Sequence, residues 1–268
     1  MPRIALIAAY NGRSYHGWQF QSENLPTIQH HLTLAMSKIA AEPVVLHAAG
    51  RTDTGVHATK QVIHFDTSVQ RPDKAWVMGA NAHLDDGISV QWAGRVDNDF
   101  DARRSAVARR YTYIIHNHPV RSALMPEYLA REHRVLNAAL MHDAGQLLVG
   151  ENDFSSFRAA NCQSLTPMRN VMSVFVQRHG DLVFIDITAN AFLHHMVRNI
   201  AGVLMDVGAQ QKPVSWVSEL LELKNRNLAS ITASPNGLFL VDVLYPDRFG
   251  IPEGPAMPHF LQVARQKV

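Results

Sequence analysis

Arg3-Ile4-Ala5-Leu6-Ile7-Ala8-Ala9-Tyr10-Asn11 and Arg110-Tyr111-Thr112-Tyr113-Ile114-Ile115-His116-Asn117 are the two stretches whose comparison decides the fold. Each opens on an arginine, continues as a mostly apolar run of strand length, and reaches an asparagine where the run ends. Strands and helices follow each in a similar order. After the first come a helix with Ile28, Leu32, Met36 and Ile39 on one face, stopped by Pro43, then a strand over 44–48. A polar loop over 50–55, a strand over 61–65, a helix over 75–84 and a strand over 89–96 complete that set. After the second come a helix over 136–148, a hairpin turning at His179-Gly180-Asp181, a helix over about 192–207, a shorter helix after Pro213 and a last strand over 238–244. This duplication predicts an α+β protein of two related halves sharing one sheet. The halves are 1–105 and 106–246, followed by an irregular tail over 247–268 that wraps the surface. No low-complexity linker separates them, so the expectation is one continuous unit.

A chain of 268 residues, 47% hydrophobic, can bury a large core. The single Cys162 excludes a disulfide framework and any multi-cysteine zinc site, and a reducing, cytoplasmic setting follows most simply. The N-terminal apolar stretch runs directly into polar and aromatic residues, unlike a signal peptide, and no apolar run is long enough to span a bilayer. A net charge of +2 says little about partners. Its makeup says more: 19 arginines stand against 6 lysines, and the guanidinium fork suits phosphates and base edges.

Gly50-Arg51-Thr52-Asp53-Thr54-Gly55-Val56-His57-Ala58 is the string with chemistry in it. Two glycines permit a tight backbone, and a carboxylate near a cation stays ionised, able to act as nucleophile or base. An aspartate in such a turn also serves simply to form it.

Further strings decide between these readings: Tyr10-Asn11-Gly12 with Tyr15-His16-Gly17-Trp18-Gln19, Asp153-Phe154-Ser155-Ser156-Phe157, Phe192-Leu193-His194-His195-Met196-Val197-Arg198-Asn199, and Gly237-Leu238-Phe239-Leu240 before Tyr245-Pro246. In this order, and together with the Asp53 string, they resemble the transfer-RNA pseudouridine synthase A family from Arg3 to about Pro246. The resemblance implies the pseudouridine synthase fold, with two RNA-recognition-like (ferredoxin-like) halves around a mainly antiparallel sheet. It implies an isomerase that converts uridines 38, 39 and 40 of the transfer-RNA anticodon stem-loop to pseudouridine, acting as a homodimer without a cofactor. Asp53 is then the catalytic aspartate, Tyr111 stacks on the target uracil, and Arg51 and Arg198 belong to the same site. Tyr113, on the same strand face as Tyr111, competes for the stacking role.

One stretch departs from the family pattern. Where Phe-His-Ala-Arg-Phe-Ser-Ala is common, this chain has Phe100-Asp101-Ala102-Arg103-Arg104-Ser105-Ala106. The pairs Arg103-Arg104 and Arg109-Arg110 suit a surface that tracks an RNA backbone. Fifteen histidines invite a metal, but adjacent His194 and His195 are expected on different helix faces, and His57, His64 and His195 read as structural or RNA-facing. No Walker or dinucleotide loop occurs, so no metal and no nucleotide cofactor is expected. Two rivals remain: an aspartyl-phosphate phosphotransferase, which would want magnesium and further acidic ligands, and a non-catalytic RNA-binding protein, which would expose more stacking aromatics.

Overall fold

The computed structural model describes residues 1–258 and Leu261, so part of the expected tail lies outside the described residues. In chain order the regular elements are β1 (Arg3–Tyr10), α1 (Ile28–Ala40), β2 (His47–Ala48), β3 (His57–Asp66), α2 (Asp73–Asn81), β4 (Ile88–Val96), β5 (Ala108–Asn117), β6 (Ala130–Glu132), α3 (Ala138–Gln146), β7 (Gly150–Asp153), β8 (Met168–His179), β9 (Leu182–Ala189), α4 (Met196–Gly208), α5 (Trp216–Leu223) and β10 (Leu238–Leu244). The chain divides into two compact units, Met1–Val107 with the segment from Phe239 onward, and Ala108–Leu238. The returning segment thus belongs with the N-terminal unit, whereas a boundary drawn along the sequence at 106 assigns it to the second half.

In the first unit β4, β1 and β3 lie side by side, antiparallel. The other edge of β3 carries two short partners: β2, antiparallel at Ile63 and His64, and β10, parallel at His57 and Ala58. The order β1-α1-β2-β3-α2-β4 is the β-α-β-β-α-β arrangement of ferredoxin-like folds. β1 is buried on both faces at Ala5, Leu6 and Ala8, which is why it reads as a continuous apolar run. Thr27 caps α1 by accepting from the His30 amide, and the helix buries Ile28, Leu32, Ala35 and Met36.

Several elements differ from the sequence expectation for local reasons. The strand expected over 44–48 shrinks to His47–Ala48, because the Val44 amide donates to Ser37 Oγ instead of a neighbouring strand. α2 stops at Asn81, whose side chain bonds both the amide and the carbonyl of Val90 on β4. The tail holds a 3₁₀ turn at Asp247–Phe249 and buries Phe249 and Met257, with the Ala256 amide on the Val241 carbonyl, so its described part is packed structure.

In the second unit the order is β5-β9-β8-β7, antiparallel in each pairing, with β6 parallel to β5. The hairpin between β8 and β9 turns at Gly180, where φ is +57°. β6 and β7, of three and four residues, are too short for periodicity to signal. α4 is almost wholly buried; Gly202 faces the Ile231 carbonyl, where a β-carbon would stand 2.3 Å from the oxygen. Among the described residues no helix is long and apolar enough to cross a membrane.

Candidate active site

Asp53 lies in the loop between β2 and β3, and β3 begins at His57 rather than at Gln61, so the loop is short. Its shape is imposed from below. Gln61 on β3 donates from Nε2 to the Gly50 carbonyl (2.7 Å) and to Tyr10 Oη (3.2 Å), and Tyr10 Oη in turn shares a hydrogen bond of 2.8 Å with Thr52 Oγ1. Burial pushes the Tyr10 phenol up to about 12, against the opposing hydrogen bonds of Thr52 and Gln61, so it stays a neutral partner for Thr52. Gly55, at φ +80°, makes the reversal that brings the Val56 amide to the Asp53 carbonyl at 3.1 Å.

The loop is also held from above. The Trp18 amide donates to the Thr52 carbonyl at 2.9 Å, and Gly17, at φ +81°, lies flat against Thr52, Asp53 and Thr54. Gly12 approaches Val56 so closely that a β-carbon would stand 2.0 Å from its carbonyl oxygen, and the Gly12 amide donates to His57 Nδ1 at 3.2 Å. The His57 ring stacks on Phe239 at 4.7 Å, which makes His57 a satisfied structural histidine. With its backbone fixed on both sides, Asp53 is half-buried while Arg51 and Thr54 are exposed. The sequence reading named Asp53 and Arg51 and missed Tyr10, Thr52 and Gln61 as the residues that shape them. Tyr10 stood inside a quoted string, whereas Gln61 carried no signal.

Arg103 and Arg104 are exposed, in the loop after β4. Asp101 accepts from both of their amides with Oδ1, at 2.9 and 2.8 Å. Burial works against its charge, but the two amide donors, with the nearby His64 and Arg104 side chains, hold its carboxyl below the usual range. Its carboxylate therefore ties down the backbone that presents the arginine pair.

In the second unit, Tyr111 lies on β5 with its ring edge-on to Phe192, centroids 5.1 Å apart. Tyr113 is wholly buried and donates from its hydroxyl to the Ser234 carbonyl at 2.8 Å, while Tyr111 is buried too but keeps 9% of its surface exposed. The Arg109-Arg110 pair divides. Arg110 forms a two-bond pair with Asp186 at 2.7 and 2.9 Å, Thr112 also donating to that carboxylate, while Arg109 bonds the Asn190 carbonyl at 3.0 Å. Arg198 stands in the first turn of α4 and donates from Nε to the Ala233 carbonyl at 2.8 Å.

The expectation that His194 and His195 diverge on a helix is corrected. His195 has φ +61° and precedes α4, so the helical spacing does not apply, and the two rings lie 4.0 Å apart. His64 is buried and accepts from the Ala102 amide through Nδ1 at 3.0 Å, a structural role.

A family model described as tRNA pseudouridine synthase matches residues 6–103 and 144–246, which takes in Arg51, Asp53 and Arg198 but not Tyr111. A protein of Actinobacillus succinogenes named tRNA pseudouridine synthase A is 55% identical over 97% of this chain and 98% of its own. Proteins of the same name from Vibrio campbellii and Escherichia fergusonii are 54% and 53% identical, over 97% of this chain and 98% and 96% of theirs. With the matched segments spanning both units, and identity above one half along almost the whole chain, this protein belongs to the tRNA pseudouridine synthase family of isomerases.

Proposed function

We propose that the chain isomerises uridines 38, 39 and 40 of the transfer-RNA anticodon stem-loop to pseudouridine, with Asp53 as its catalytic carboxylate. The single observation that carries this is the clamped Asp53 loop: backbone bonds from two sides hold a half-buried carboxylate beside an exposed arginine. Preorganisation of that kind is what a reacting group needs and a mere turn does not.

In the reaction the C1′–N1 bond breaks, the uracil rotates, and C5 bonds to C1′. C5 then loses its proton and N1 gains one, so composition is unchanged and no oxidant or energy source is consumed. An ionised Asp53 can attack C1′ or C6, or take the C2′ proton; all three routes require the charge and the fixed position. A paired uridine must first leave the stack, at a cost of a few kcal/mol that phosphate contacts and stacking offset. Arg51, exposed beside Asp53, fills the vacated place. Tyr111 offers its face to the flipped uracil, Arg198 completes the charged set, and Arg103, Arg104 and Arg109 engage the RNA backbone. Arg110, held by Asp186, contributes chiefly by fixing β5 to β9. The working form is a cytoplasmic homodimer, with no cofactor.

Nucleotide-resolution pseudouridine mapping of transfer RNA incubated with the purified protein tests this. Pseudouridine at 38, 39 and 40 is the expected result; modification confined to another arm would overturn the assignment.

A further inference from the structure

We infer that Phe20, backed by His30, is a stacking platform for an unpaired nucleobase of the anticodon loop next to the flipped uridine. This rests on the anticodon-arm reading above and adds to it a residue that positions RNA.

Phe20 is a large aromatic left 42% exposed, on the segment that follows the bond between the Trp18 amide and the Thr52 carbonyl. The His30 ring, on α1, stacks against it with an interplanar angle of 24° and centroids 5.4 Å apart. Its backbone is fixed through Gln29, whose Oε1 accepts from the Phe20 amide and from Gln19 Nε2, both at 2.9 Å, and whose Nε2 donates to the Leu46 carbonyl. A ring presented to solvent from a backbone amide bonded to a side chain that is itself held at both ends is partly ordered before anything binds. Hydrophobic burial does not account for it, since 42% of its surface stays in water. Base stacking does: a nucleobase has an apolar face, and such contacts do not depend on which base is present.

Its place in the fold points to the RNA near the reacting centre. The Trp18 amide is bonded to the Thr52 carbonyl, next to Asp53, and Phe20 follows two residues later, at most about 7 Å along the chain. That is the reach of one or two nucleotides. Exposed Arg13 and His16, on the same segment, add positive or hydrogen-bonding groups for the phosphates on either side.

The test is a binding cycle on anticodon stem-loops in which each loop nucleotide in turn is replaced by an abasic residue. Binding is read with or without turnover, so it answers separately from whether Asp53 is the catalytic carboxylate. Phe20→Leu should weaken binding of the intact stem-loop about tenfold, and Phe20→Trp should restore it. At one loop position the abasic replacement and Phe20→Leu should not add, because they remove the same contact. Equal affinity for wild type and Phe20→Leu, or a loss that adds at every position, would overturn the proposal. So would a loss that tracks a change in oligomeric state measured by sedimentation, which would make Phe20 part of a protein interface.

Discussion

Gly17 lies so close to Thr52 that a β-carbon on it would stand 2.8 Å from the Thr52 carbonyl oxygen, with Asp53 C at 3.2 Å. The backbone that carries the carboxylate is thus shaped against a residue that has no side chain. Gly17→Ala should lower the melting temperature by about 2–8 °C, from left-handed strain alone, and reduce turnover on the order of 100-fold by displacing the loop. Gly180→Ala is the control: φ is also positive, but nothing lies within 4 Å. It should lose comparable stability and keep its turnover, as melting curves beside initial rates would show.

Asp53→Asn should keep the fold and most of the transfer-RNA affinity while abolishing pseudouridine formation. The amide retains shape and an acceptor but can serve neither as carboxylate nucleophile nor as base. Near-normal turnover by a well-folded variant would remove Asp53 from the mechanism.

The two arginine pairs should behave differently. Replacing Arg103 and Arg104 by Ala should reduce the slope of log affinity against log salt by about one for each phosphate that is no longer neutralised. Arg110→Ala should leave that slope alone and lower stability on the order of 2 kcal/mol, because it leaves the mostly buried Asp186 carboxylate without its cation. A salt titration and a denaturant melt on each variant separate these outcomes.

His64 makes stability depend on pH. Burial, with the Arg3 guanidinium adding to it, pushes the imidazole down to about 4 from its ordinary 6.5, and Nδ1 must stay unprotonated to accept from Ala102. The unfolded chain therefore takes up this proton first. Stability is retained above about pH 6.5 and lost as the pH falls from there through about 4. His64→Gln, which keeps an acceptor but cannot titrate, should flatten the decline in melting temperature over that window; an unaltered decline would place the sensitivity elsewhere.

Much of the fold was legible in the residues because its signals are local. The apolar run before Asn11, the α1 periodicity after Thr27 and the hairpin at Gly180 each depend on neighbours a few positions apart, and the corresponding elements occur where they point. The elements that departed from expectation answer to side-chain bonds and backbone conformations that apolar periodicity does not register: Val44 bonds Ser37, Asn81 ties α2 to Val90, and His195 turns left-handed before α4.

The sequence by itself determined the two α+β halves, the family and the identity of Asp53 as the residue to test, since strings of neighbouring residues carry all three. Only the tertiary structure decided what holds that residue. Gln61 reaches back eleven positions to Gly50, Tyr10 meets Thr52 across forty-two, and Phe239 returns from the far end of the chain to stack on His57. Hydrogen bonds and ring contacts act over a few ångströms regardless of separation along the chain, so these partners leave no spacing to read. The same physics gave Arg110 its partner, because Asp186 comes to it from the strand that lies beside β5.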